Sequence, residues 1–129
     1  MSLTEVISIV DDDEDVRSAT RSLMRSHGFT AHAFASAEAF LNSPLLHETT
    51  CLITDVQMPD IGGFELQAIL LNLGITIPVI FITAFPETSV LRRAEAVGAL
   101  AIYAKPFDGE AIISRIEEFT PSHIGGTPD

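Results

Sequence analysis

Val6-Ile7-Ser8-Ile9-Val10 runs without a break into Asp11-Asp12-Asp13-Glu14-Asp15. A short run dominated by Ile and Val, with no strict polar alternation, predicts a strand of a parallel sheet covered on both faces. Five acids in succession ordinarily make a solvated surface. Here, however, an apolar strand ends on them, and in an open parallel sheet ligands bind beyond the carboxyl ends of the strands.

Working outward, four more runs share the character of the first, at 30–34, 51–54, 79–82 and 99–104, each bounded by turn residues. Amphipathic stretches lie between them. Val16, Thr20, Leu23 and His27 follow helical spacing up to Gly28, and Leu66, Ile69, Leu70 and Leu73 do so up to Gly74. Leu91, Ala94 and Val97 precede Gly98, and Ile112, Ile113, Ile116 and Phe119 form a last face. Ser36 ahead of Glu38-Ala39-Phe40-Leu41 is an N-cap candidate for a shorter helix. Glycine just after a periodic stretch, as at Gly28, Gly74 and Gly98, is the expected stop. Five strands alternating with five helices predict an α/β, doubly wound fold with a five-stranded parallel sheet and right-handed crossovers.

The chain has 129 residues, 47% of them hydrophobic, enough for one domain with a core of its own. Residues 121–129 carry no core pattern and are expected to be a linker or tail, which leaves 1–120 as the domain. The single cysteine, Cys51, excludes an internal disulfide, and its place at the head of an apolar run suggests a buried, inert thiol. No apolar stretch approaches the roughly 20 residues needed to span a membrane, and the start lacks a signal-peptide pattern, so a cytoplasmic location is expected. Seven basic against 18 acidic residues give a net charge of −11, which argues against direct binding of nucleic acid by this domain.

The residue that follows each strand decides the chemistry. Asp11 and Asp12 follow the first, Asp55 the third, Thr83 the fourth, and Lys105-Pro106 the fifth; the second ends on Phe34-Ala35 and offers nothing polar. Three carboxylates brought to one edge repel each other by several kcal/mol unless a cation intervenes. Hard oxygen donors with open positions suit Mg²⁺, which in turn stabilises charge on a transferring phosphoryl group. Asp55 is the natural nucleophile, since carboxylates form acyl phosphates. Lys105 could pair with it, and Thr83 could donate to a phosphate oxygen. Each residue alone has an ordinary reading: an N-cap for Asp11 or Asp12, a turn for Asp55, a structural hydroxyl for Thr83, a solvated ammonium for Lys105. Asp13 and Glu14 are expected to be first-turn acids favoured by the helix dipole. What points to a site is their joint placement at the ends of different strands.

Val10-Asp11-Asp12, Asp55-Val56-Gln57-Met58-Pro59 with Gly63, Val79-Ile80-Phe81-Ile82-Thr83-Ala84, and Gly98-Ala99 leading to Lys105-Pro106-Phe107 resemble the response regulator receiver family over residues 4 to 119. Val16-Arg17-Ser18, Phe34-Ala35-Ser36-Ala37 and Cys51-Leu52-Ile53-Thr54 bring the pattern nearest to FixJ-like receivers, which commonly precede a DNA-binding output domain of the LuxR type. The resemblance implies a flavodoxin-like (βα)5 fold of strand order 2-1-3-4-5 and a receiver domain that switches on phosphorylation rather than an enzyme acting on a separate substrate. It implies a sensor histidine kinase as the phosphoryl donor to Asp55, and Mg²⁺ held by Asp12, Asp55 and the main-chain carbonyl of Gln57, with Asp11 acting through water. Thr83 and Lys105 would bind the phosphoryl group, with Lys105–Pro106 cis. A phosphorylation-dependent homodimer or control of a transcriptional output would follow.

One position departs from the family. Three residues before the lysine, receivers usually carry Tyr or Phe; this chain has Ile102, with Tyr103 next to it on what must be the opposite face of the strand. Two rival classes fit less well. An aspartyl-nucleophile phosphatase of the haloacid dehalogenase type wants an acid two residues after the nucleophile, where Gln57 stands. A flavodoxin-type electron carrier wants a hydroxyl-rich phosphate loop after the first strand, where the acids would repel FMN. The four histidines share no metal-ligand spacing, and Gly62-Gly63 is expected to let the chain bend near the site.

Overall fold

The computed structural model describes residues 5–119; residues 121–129, expected to be a linker or tail, lie outside that range. Each apolar run forms a strand: β1 (Val6–Val10), β2 (Thr30–Phe34), β3 (Cys51–Asp55), β4 (Val79–Thr83) and β5 (Ala101–Ala104). All pairings are parallel, in the order β2-β1-β3-β4-β5. The helices are α1 (Glu14–Ser26), α2 (Ala37–Leu41), α3 (Gly63–Asn72), α4 (Thr88–Ala96) and α5 (Gly109–Phe119). The fold is the doubly wound α/β arrangement expected from the sequence, and its order reverses direction beside β1, so the ends of β1 and β3 flank the topological switch point.

Alternation along the strands divides the core between the two sheet faces. Ile7, Ile9, Ile53, Ile80 and Ile82 pack with Met24 of α1 and Ile112, Ile113 and Ile116 of α5. Val10, Leu52, Val79 and Phe81 pack with Phe40 of α2, Leu66 and Leu70 of α3, and Ala94 of α4. Each Ile, Leu, Val, Phe or Met among these contributes about 1.5–3 kcal/mol on burial. Phe64 and Phe81 set their rings 4.6 Å apart in a tilted pair, with the Arg93 guanidinium 4.7 Å over the Phe64 ring. Ser8, the polar residue inside β1, is fully buried but shares a 2.7 Å hydrogen bond with the hydroxyl of Thr49, so no polar group is stranded there.

Three boundaries differ from the sequence reading. Asp55 and Thr83 are the last residues of β3 and β4 rather than the residues after them, paired to Ile82 and Ala104. β5 starts at Ala101, not at 99, because the Ala99 amide still bonds back to the Ala94 carbonyl in the turn that closes α4 through Gly98, at φ 75°. A 3-10 helix over Pro44–Glu48, started by the Ser43 hydroxyl accepting the Leu45 amide, was not anticipated. It buries Leu46 against the α2 face.

Candidate functional site

The acidic run does two different jobs. Asp13 caps α1, its carboxylate accepting the amides of Asp15 at 2.9 Å and Val16 at 3.3 Å, while Glu14 and Asp15 occupy the first turn where the helix dipole favours them. Asp11 instead turns inward and is 3% exposed. Its Oδ1 accepts the Asp13 amide at 2.9 Å, and its main-chain carbonyl accepts a 2.9 Å hydrogen bond from the Arg17 guanidinium. Asp12 stays exposed at the rim.

Asp55 closes β3 at 5% exposure. Its Oδ1 accepts the Gln57 amide at 3.2 Å and its Oδ2 lies 2.9 Å from Lys105 Nζ. The same ammonium lies 3.1 Å from Asp11 Oδ2, so Lys105 ties the ends of β1 and β3 together. Carboxylate oxygens of Asp11, Asp12 and Asp55 all lie within 4.8 Å of one another. Lys105 reaches them from β5, its amide bonded to the Thr83 carbonyl at 2.8 Å and its peptide bond to Pro106 cis. Thr83, fully buried, donates its hydroxyl to Gln57 Oε1 at 3.1 Å and accepts the Phe85 amide at 3.0 Å. Thus the residues predicted for the site converge on one edge of the sheet.

Electrostatics mark the cluster as short of positive charge. Burial pushes the Asp55 carboxyl up from its ordinary value; the Asp11 charge adds to this, and the hydrogen bonds from Lys105 and Gln57 only partly oppose it. Burial alone would lower the Lys105 ammonium, but hydrogen bonds and charge from Asp55 and Asp11 outweigh it and raise it. Three carboxylates against one ammonium leave two negative charges in excess, and the oxygen donors are those a hard divalent cation takes. The cluster can therefore hold a metal.

Sequence reading missed three contributors. One is Arg17, which supports the turn after β1. Another is the Gln57 side chain, which reaches Thr83. The third is the reason for Gly62-Gly63. A Cβ on Gly63 would sit 2.5 Å from the Asp55 carbonyl oxygen, and one on Gly62 would sit 2.7 Å from that of Val56. With Gly62 at φ −82°, close backbone approach, not bending, is what Gly62 serves. The doubled glycine was the only signal. Ile102 and Tyr103 divide as strand alternation requires: Ile102 packs on the α2–α4 side, Tyr103 on the α1–α5 side with its hydroxyl 3.4 Å from the Ala111 carbonyl. His27 lies beyond the last residue of α1 as its C-cap and pairs with Glu110 of α5 at 3.4 Å, well away from any ligand set.

Comparison with known proteins agrees with this geometry. Residues 7–117 match the family model for the response regulator receiver domain. The chain is 41% identical over 111 residues to the response regulator protein TmoT of Ectopseudomonas mendocina, covering 86% of this chain and 50% of that protein. It is 35% identical over 123 residues to the transcriptional regulatory protein FixJ of Rhizobium meliloti, covering 95% of this chain and 60% of FixJ. The chain thus spans about half the length of several such relatives. The crystal structure of FixJ-N superposes with a TM-score of 0.79 at 32% identity, covering 98% of this chain and 99% of that one. A structure of the response regulator StyR superposes at 0.81 and 36% identity, covering 90% of this chain and 59% of that one. With an acidic cluster at the ends of β1 and β3 and a lysine from β5 bridging two of its acids, this chain belongs to the response regulator receiver family.

Proposed function

We propose that Asp55 accepts a phosphoryl group from a phosphohistidine of a sensor histidine kinase, and that the aspartyl phosphate switches the domain between two states. The observation that carries this reading is Lys105 Nζ, 2.9 Å from Asp55 and 3.1 Å from Asp11, inside a carboxylate cluster still two charges in excess. Asp12, Asp55 and the main-chain carbonyl of Gln57 would hold Mg²⁺, with Asp11 acting through water. When bound, the cation neutralises the excess charge and stabilises charge developing on the phosphoryl oxygens.

The ionised Asp55 carboxylate, raised in basicity by burial, supplies the attacking oxygen. An O–P bond forms as the N–P bond breaks, and the donor histidine leaves with the electron pair. Lys105 then transfers its pairing from the carboxylate to the phosphoryl oxygens, and Thr83 donates its hydroxyl to another of them. The same arrangement, with water as the acceptor, returns the domain to rest. Phosphorylation adds charge and acceptor oxygens at a buried strand end, and the resulting population shift acts on the surface of α4, β5 and α5. On this reading the output is transcriptional, through a homodimer or a DNA-binding domain elsewhere in a longer chain, since FixJ is a transcriptional regulatory protein.

Incubation with acetyl phosphate and Mg²⁺ followed by intact-mass measurement tests the proposal. One phosphoryl adduct is expected, absent in Asp55→Asn and absent after chelation. An adduct that survives Asp55→Asn, or none with any phosphodonor, refutes it.

A further inference from the structure

Thr83 Oγ has a single proton, and that proton already has a taker: the hydroxyl donates to Gln57 Oε1 at 3.1 Å and accepts from the Phe85 amide at 3.0 Å. A phosphoryl oxygen is an acceptor only. For Thr83 to bind an anion on Asp55, its hydroxyl must therefore leave Gln57. Gln57 is well placed for such a contest, because its amide rests on Asp55 Oδ1 while its side chain reaches the end of the neighbouring strand. A hydrogen bond to a charged oxygen is about twice as strong as one to a neutral amide, so the anion wins the proton, but only against the bond it displaces.

From this geometry, and resting on the phosphoacceptor reading above, we infer that Gln57 is a positioning residue that latches the Thr83 hydroxyl in the resting chain and so sets the threshold of the switch. Release of the latch has a path outward. The Phe85 amide is carried on the same hydroxyl oxygen, and Phe85 stands 59% exposed in the segment between β4 and α4. A hydroxyl that turns toward Asp55 takes that amide with it. Gln57 itself is exposed, so changing its side chain removes the latch without opening the core.

Gln57→Met keeps the length and removes the acceptor. With beryllium fluoride and Mg²⁺ as the phosphoryl mimic, the variant is expected to bind about threefold more tightly than the natural chain, the worth of one modest hydrogen bond. In a Thr83→Ala background, where no hydroxyl remains to be latched, the same substitution is expected to change nothing. In the metal-free, ligand-free chain, the Phe85 amide resonance of Gln57→Met should move part of the way toward its position in the beryllium fluoride-bound natural chain. Equal affinity, an equal gain in the Thr83→Ala background, or an unmoved resonance overturns the latch while the natural chain still binds the mimic. A natural chain that binds no mimic overturns the phosphoacceptor reading and the latch together.

Discussion

β3 and β4 are buried along their whole length, whereas no residue of β5 is fully buried. The difference sorts the site's chemistry. Asp55 and Thr83 end two interior strands, held by helices on both faces and by neighbours on both edges. Lys105 follows an edge strand and arrives partly exposed, at 18% of its side-chain surface. Asp55 and Thr83 are built into the core, so the change of partner proposed for the Thr83 hydroxyl carries backbone with it. Lys105, whose pairing is proposed to pass to the phosphoryl group, is tethered by two ion pairs at the margin. A long flexible ammonium suits that task, since it can re-aim by rotating its own bonds without disturbing the sheet.

Breaking the buried side of this contrast should have the largest effect. Phe81→Ala removes a fully buried ring packed at a tilt against Phe64 in the strand that ends on Thr83. A loss of about 3–5 kcal/mol is expected from the cavity it leaves, read as a lower urea midpoint at an unchanged slope. The margin should fail differently. Lys105→Ala is expected to slow phosphorylation by acetyl phosphate about a hundredfold, as loss of one charge-stabilising group does, with far-UV circular dichroism unchanged. A Lys105→Ala chain that unfolds instead would erase the distinction between core and margin.

The smallest effect concerns pH and sharpens the contrast. The Asp55 carboxyl sits above its ordinary value of 3.8, so in the metal-free protein, at pH between 3.8 and the folded value, the folded chain binds more of a proton than the unfolded chain. The stability tied to that proton is full below 3.8 and is lost as pH rises through the folded value. Metal-free natural chain should therefore melt progressively below Asp55→Asn as pH rises across that window, and Mg²⁺ should narrow the gap. Melting temperatures that run parallel at every pH would show that burial does not strain the acid.

The contrast also explains what could be read in advance. A strand end is marked in sequence by the change from apolar to polar, so Asp11, Asp55, Thr83 and Lys105 were each visible where a run stopped. The pairing order was not written in any one run, because it depends on how strands separated by whole helices choose neighbours; it came from resemblance. The Gln57–Thr83 bond was out of reach for the same reason: it joins residues 26 apart through two separate strand ends. The 3-10 helix at Pro44–Glu48 escaped because its five residues have too little periodicity to register against the helix before it. Gly62-Gly63 stands out in the sequence without revealing its task, since a doubled glycine has the same appearance whether it bends the chain or admits a neighbouring backbone.

Cys51 opens β3 at the far end from the site, 1% exposed, and burial pushes its thiol up to about 12. Because it is the chain's single cysteine, its labelling in native buffer can proceed only when the sheet parts. The protein thus carries its own unfolding clock. The rate at which a thiol reagent adds to the untouched chain counts excursions of the central strand, with no probe introduced and no site residue altered.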